Sequence, residues 1–420
     1  MRCLTAGCLL LMLWASSPAE DWTAFRGSQG NGRSSQADTP IHWTATEGIA
    51  WSAPLPRGGN GSPIVVGNQV LVTSAEDDKG LTRSLLSFQA DTGDLLWKRS
   101  VDFGREMPTH KTNPYAGSTP ASDGKHIVVW HGSAGLYAYD MTGNEVWHRQ
   151  LGDFKHMWGY GTSPVISGER VILHTGPGER VFVIAMDIGS GKELWRHEEP
   201  VDGTGERNSD GQYMGSWSTP VLIEQAGKVV AVCAMATRVC GFDVDSGDLL
   251  WYCEGLSGPK GDLAYSSPMI EGDTCVMIGG FSGPGFGFQI DGSGDITSEQ
   301  RLWRNDKNPQ NIGTGFLLDG YVYRVGAGPS VIDCLNAKTG EILWQHRAGT
   351  QAFWSSMVFN GKHAYATDQS GKTLVFKLSP QGYEEIAANP LGDRCNATPA
   401  LAGGRVYIRT YTKLWCIEGN

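Results

Sequence analysis

The stretch Asp91-Thr92-Gly93-Asp94-Leu95-Leu96-Trp97 decides the fold, because the chain repeats it. It returns as Met141-Thr142-Gly143-Asn144-Glu145-Val146-Trp147, as Gly189-Ser190-Gly191-Lys192-Glu193-Leu194-Trp195 and as Asp245-Ser246-Gly247-Asp248-Leu249-Leu250-Trp251. Lys338-Thr339-Gly340-Glu341-Ile342-Leu343-Trp344 keeps the same spacing, and Gly292-Ser293-Gly294 reaches Leu302-Trp303 by a longer path. Upstream of each copy stands a hydroxyl-proline pair: Ser62-Pro63, Thr119-Pro120, Ser163-Pro164, Thr219-Pro220 and Ser267-Pro268. The sixth unit carries Phe316 at the proline position, and the seventh, Met357 to about Ile386, keeps the strand rhythm but lacks the Trp.

Each residue type has a physical reason to be where it is. Gly after Thr or Ser supplies the positive φ of a tight hairpin turn. The apolar-Trp pair opens an outer strand, where a large indole covers the joint with a neighbouring unit. Trp51, Trp97, Trp147, Trp195, Trp251, Trp303 and Trp344 are the structural tryptophans on this reading. Proline is tolerated at the first residue of an inner strand, where no ladder donor is needed. Four strand-like runs in every roughly 40–55 residues are the signature of a β-propeller blade.

The ends of the chain complement one another. Thr398 to Ile417 supplies only three strands, and the spare segment Gly48-Ile49-Ala50-Trp51 has the character of the missing fourth. Joining them completes a last blade and removes exposed sheet edges. The expected fold is therefore all-β, an eight-bladed β-propeller closed by an N-terminal strand, with seven blades as the alternative. Composition agrees. Glycine provides 57 of 420 residues, a load too costly for a helical bundle, and 15 tryptophans argue against disorder. The 34 basic and 44 acidic residues give a net charge of −10, which disfavours nucleic acid and anionic lipid as partners.

Residues 1–19 read as a cleavable secretory leader: Arg2, the apolar run Leu9 to Ala15, then Ser16-Ser17-Pro18-Ala19. The run is too short to span a bilayer. Cys8 precedes it rather than follows it, which argues against lipid attachment. The plan is thus a leader over 1–19, an N-terminal arm over 20–40 and one propeller domain over 41–420, exported and monomeric. Seven cysteines remain beyond the leader, and Cys233 and Cys240 flank a two-residue turn that sets them opposite each other, either as a disulfide or as buried thiols. No CxxC pair supports zinc.

Several motifs fail on context. Asp243, Asp245, Gly247, Asp248 and Glu254 approach a calcium loop, but the glycine falls one place early and every unit repeats the turn. Gly283, Gly285 and Gly287 precede a strand, not a helix, so they do not cradle phosphate. Neither a nucleophile elbow nor HExxH is present.

The informative residues precede the inner strands, where loops gather around a propeller's channel. They are His110, Lys111, Asn113 and Tyr115, then Lys155, His156, Trp158 and Tyr160, then Trp217, Tyr265, Asn311, Trp354, Arg394 and Asn396, with Asn60 doing the same for the first unit. Cations, amides and aromatics converging from separate blades suit a small polar, anionic or sugar-like ligand, or a protein partner.

The D-x-x-T-G-x-x-L-W element resembles the PQQ-like propeller repeat of exported bacterial proteins, a family that includes quinoprotein dehydrogenases and BamB-type assembly factors. The opening Trp22-Thr23-Ala24-Phe25-Arg26-Gly27 also resembles the start of exported members. For a quinone enzyme the resemblance implies a stacking Trp, calcium with carboxylate and amide ligands, and a catalytic Asp; the family's dehydrogenases add a disulfide of adjacent cysteines. This chain has no adjacent cysteine pair, and Asp262 is the carboxylate nearest the channel loops. The expectation is accordingly a binding or scaffold protein with no cofactor and no metal site, the alternative being a PQQ- and calcium-dependent dehydrogenase of alcohols or sugars.

Overall fold

A computed structural model describes residues 20–349 and 351–419; the expected leader, with Cys8, lies outside the described residues. Each repeat folds as a meander of antiparallel strands. In the first, Ile64–Val66, Gln69–Ala75, Thr82–Gln89 and Leu95–Asp102 pair in chain order, and the later repeats follow the same plan. Helix is confined to one four-residue turn, Thr297–Gln300, and two three-residue 3-10 turns among the described residues. The structure is all-β and propeller-like, as the repeat predicts.

The turn-Trp element works through a bulge. Ser87 faces Trp97 while Phe88 faces Leu95, so Leu96 is left over and its side chain is 46% exposed. The same slip puts Val146, Leu194, Leu250 and Leu343 out of register. A bulge sharpens the local twist and swings the next side chain, here the indole, toward the adjacent sheet. Trp147 Nε1 donates to Ile188 O at 2.7 Å, and Trp303 Nε1 to Ala337 O at 2.7 Å, each on the following sheet's turn. That turn must carry glycine at Gly191. Its φ is +64°, and a Cβ there would stand 2.5 Å from the Trp147 ring.

The hydroxyl-proline pairs lie around the channel. Ser62 N–H donates to Thr119 Oγ1 (2.9 Å), Thr119 N–H to Ser163 Oγ (3.0 Å) and Ser163 N–H to Thr219 Oγ1 (3.1 Å). Ser267 Oγ donates to Thr219 O, and the series continues through Thr314, Ser356 and Thr398 to Ser62 Oγ (3.0 Å). These hydroxyls satisfy backbone donors that would otherwise be buried without partners. They also correct one assignment: the sixth unit starts at Thr314, so Gly315, not Phe316, occupies the proline position.

The strand Ile49–Pro54 pairs antiparallel with Lys413–Ile417, Trp51 facing Cys416. N- and C-terminal segments thereby share one sheet with Arg405–Arg409 and Ala400–Ala402. The core is layered between neighbouring sheets, as where Leu71 and Leu85 meet Ile127 and Val129. Cys233 and Cys240 are opposite each other across a ladder as buried free thiols, like Cys253, Cys275, Cys334, Cys395 and Cys416.

The arm before Ile49 is threaded across the far ends of the inner strands. Trp22 bridges to Val65, Ser122 N–H donates to Thr23 O, Arg26 Nη2 donates to Gly315 O at 2.6 Å, and Ser34 N–H donates to Phe359 O. Phe25 reaches the channel wall from this side.

Candidate functional site

The loops before the inner strands surround a cavity of about 370 Å3 that runs down the channel past the Ser/Thr collar to Phe25. Its mouth has two unlike sides.

One side is aromatic, centred on Trp158. Ring centroids lie 4.6 Å away for Tyr213, 5.2 Å for Phe281, 5.7 Å for Trp217 and 6.4 Å for Tyr265. An added short parallel pair, Tyr213–Ser216 with Gly261–Ala264, backs this wall. Phe281 and Ser282 both have left-handed backbones, φ +48° and +57°, which non-glycine residues seldom adopt without a compensating gain. His156 is packed edge-on behind Trp217 at 4.8 Å. Its Nδ1 accepts from Trp158 N–H, so the proton sits on Nε2, which donates to Met214 O at 3.1 Å. Burial lowers its pKa and favours this neutral form.

The other side is a relay of amides. Gln369 donates to Asn396 Oδ1 (3.0 Å), Asn396 to Asn60 Oδ1 (3.1 Å), Asn60 to Asn113 Oδ1 (3.0 Å), and Asn113 to the carbonyls of Trp158 (2.8 Å) and Tyr160 (2.9 Å). The relay spends these donors within the protein and ends by fixing the backbone of the aromatic wall. Among the described residues, the polar side chains that face the cavity with no hydrogen bond of their own are Trp158, Gln310, Trp354 and Tyr265. Burial pushes the Tyr265 phenol far up, so it is a neutral hydroxyl. His110 holds Thr112 Oγ1 at 2.7 Å from Nδ1.

Of the residues expected at the channel, His110, Asn113, Trp158, Trp217, Tyr265, Trp354 and Asn396 line the cavity, as does Asn60. Lys111, Lys155 and Arg394 are exposed outside its wall, Arg394 lying over the Tyr411 ring at 4.7 Å. Tyr115 and Tyr160 are buried against the Arg83 guanidinium, and Asn311 is buried on Val325 O. Sequence reasoning missed Phe25, Phe281, Gln310, Ile312 and the collar hydroxyls. The collar was written in the hydroxyl-proline pairs, and Gln310 stands one residue before Asn311, which the sequence placed at the channel.

Among the described residues no Asp, Glu, Lys or Arg lines the cavity, and no group of three His, Cys, Asp or Glu is suited to a metal. Asp262 is committed to Asn208 Nδ2 at 2.9 Å and is not in the wall. The wall therefore suits a stacked planar or C–H face. It does not fit the carboxylate-held calcium that the quinone-enzyme resemblance implies.

A channel ringed by repeated antiparallel sheets with turn-Trp staples defines a PQQ-like β-propeller. The chain belongs to the family described as outer membrane protein assembly factor BamB, whose pattern matches residues 82–345. It is 22% identical to a polyvinylalcohol dehydrogenase from Pseudomonas sp, over 86% of this chain and 68% of that one. It is 24% identical to the quinohemoprotein alcohol dehydrogenase ADH-IIG of Pseudomonas putida, over 53% of this chain and only 32% of that protein's length. The fold matches the crystal structure of BamB from Moraxella catarrhalis with a TM-score of 0.61 at 16% identity, covering 87% of this chain and 98% of that one. These relatives correct one expectation. Two dehydrogenases, one of them a quinohemoprotein by name, stand among the matches, so the expectation of no cofactor does not hold.

Proposed function

We propose that the chain is an exported eight-bladed propeller, closed by Ile49–Pro54, that binds an uncharged, hydroxyl-rich molecule at the open mouth of its channel. The leader is residues 1–19, the arm 20–40 and the propeller 41–420, and the protein acts as a monomer. One observation carries the ligand class: an aromatic wall and four polar side chains free of hydrogen bonds, Trp158, Gln310, Trp354 and Tyr265, share a cavity lined by no Asp, Glu, Lys or Arg among the described residues. Sugars and polyols present C–H faces for stacking and hydroxyls for directed bonds. A charged ligand would give up hydration there without a counter-charge. The exposed positions of Lys111, Lys155 and Arg394 favour the sugar-like ligand over the anionic one. Calorimetric titration with neutral sugars, short polyvinyl alcohol oligomers and uronic acids tests this. Binding of neutral members that is lost in Trp158→Ala supports it, and preference for the acids overturns it.

A second reading is oxidation of an alcohol, favoured by the names of the two curated relatives. A quinone at this mouth would have Trp158, Trp217 and Trp354 as aromatic faces, but the wall offers no carboxylate to hold its calcium. Incubation with PQQ and calcium, followed by dye-linked oxidation of alcohols, sugars and polyvinyl alcohol, separates the readings. Turnover places oxidation ahead; binding without turnover leaves the ligand-binding role.

A further inference from the structure

A second cavity, about 210 Å3, lies on the opposite side from the channel mouth, between the N-terminal arm and the inner-strand ends at Pro268–Gly272 and Gly315–Leu317. Arg26 is the unusual residue in its wall. Its side chain is 2% exposed, its guanidinium carbon sits 5.2 Å from the Phe316 ring centroid, Nη2 donates to Gly315 O, and Nε has no acceptor. No carboxylate lies within ion-pair distance of it among the described residues. Arg33, also in the wall, donates to Leu317 O at 2.7 Å and to Glu271 at 3.4 Å.

Glu271 does not neutralise the pair. Its oxygens also accept from Asp319 N–H and Gly320 N–H, both at 3.1 Å, so its charge is spent on Arg33 and a turn. Two guanidiniums and one carboxylate leave the cavity with an excess positive charge. Burial, and after it the neighbouring Arg33, bring Arg26 down to about 9, which still leaves it a cation at neutral pH. The arm closes tightly over that cation: at Gly32, φ +76°, a Cβ would stand 2.8 Å from Arg26 Nη2. A buried guanidinium without a counter-ion is costly, and an oxyanion is the partner its fork of donors fits best.

We propose that this cavity is a binding site for a small oxyanion, a phosphate or a carboxylate, anchored by Arg26 and shared with Arg33. It is separate from the channel and does not depend on what the channel binds.

The full chain is titrated with inorganic phosphate and, separately, with acetate at constant ionic strength in chloride, read by calorimetry and by thermal melting. The expected result is saturable one-site binding that raises the melting temperature, the stronger anion naming the class. Arg26→Met should weaken it by about tenfold or more, the effect of losing a charge-assisted contact. Should Arg26→Met fail to fold, two milder variants decide. Arg33→Gln should weaken the anion, while Glu271→Gln, which frees Arg33, should tighten it. Trp158→Ala should leave it unchanged. Absence of saturable binding, or equal binding by wild type, Arg33→Gln and Glu271→Gln, overturns the proposal.

Discussion

Trp51 lies against Gly93, across the junction between the strand that joins the chain's two ends and the first repeat. A Cβ on Gly93 would stand 2.6 Å from the Trp51 ring, and the indole Nε1 donates to Ala90 O at 2.9 Å. The same staple recurs as Trp97 on Gly143, Trp195 on Gly247 and Trp303 on Gly340.

Gly93→Ala should therefore destabilise the protein by two effects: strain at φ +75°, about 1–2 kcal/mol, and overpacking, about 1–3 kcal/mol. Gly168→Ala isolates the first. It has φ +55° with nothing within 4 Å of its Cβ position, so it should suffer the strain alone. Trp51→Ala should cost about 3–5 kcal/mol. Chemical denaturation of the three variants checks the order Trp51→Ala, Gly93→Ala, Gly168→Ala, and equal losses at the two glycines would refute the staple.

The blade pattern was legible because it is local: turn, bulge and Trp fall within seven residues, and each obeys a short-range rule. The Trp51 pairing was legible too, since a three-stranded end and a spare strand call for one another. The channel wall was legible only in part. Loop position alone could not separate Trp158, which faces the cavity, from His156 two residues earlier, which is buried behind Trp217. Nor could it show that Lys155 and Arg394 turn to solvent, because a long cation settles where its charge is hydrated. Phe25 was beyond reach, since it reaches the channel through an arm that crosses sheets far apart in sequence.

The amide relay gives a test of positioning. Asn113 holds the carbonyls of both Trp158 and Tyr160. Asn113→Ala leaves those acceptors unpaired, costing about 1–3 kcal/mol. It should loosen the aromatic wall, so channel binding falls although the ring of Trp158 is still present. Asn113→Asp keeps the shape but replaces the donor with an acceptor, and should be no better. Ligand titration with tryptophan fluorescence of each variant reads this out. Full binding by Asn113→Ala would remove the relay from the site.

Acid should unfold the protein through two histidines. Burial brings His131 down to about 3 and His174 to about 4 from 6.5. His174 Nδ1 lies 3.3 Å from Ser218 O and both Nε2 atoms lack a partner, so a second ring proton would be buried unpaired. The unfolded chain takes up these protons below about pH 6.5 while the folded chain does not. Stability thus falls as pH drops from about 6.5 toward 4 for His174 and toward 3 for His131, by up to about 1.4 kcal/mol per pH unit for each. Glu199 acts the other way. Desolvation raises it to about 6 despite Arg238 at 3.0 Å, so acidification between about 6 and 4.5 relieves one buried charge. Two histidines outweigh one carboxyl. Urea titrations at pH 7.5 and 5.0 should show the loss shrink by about 2 kcal/mol in His174→Gln; an unchanged difference would exclude His174 as a source.

Phe281 sets stability against binding. Its left-handed backbone, followed by another at Ser282, carries a strain of order 1 kcal/mol per residue, and what it gains is a ring 5.2 Å from Trp158 at the channel mouth. Phe281→Gly removes the strain at that position and the ring together. The ring is partly exposed, so its loss leaves no closed cavity in the core. The variant should be at least as stable as wild type by chemical denaturation while binding the channel ligand more weakly. Phe281→Ala separates the terms, since it loses the ring but keeps a Cβ at positive φ: it should bind as poorly as Phe281→Gly and be about 1 kcal/mol less stable. Were both variants to bind as wild type does, the strained turn would serve the fold of this loop rather than the channel.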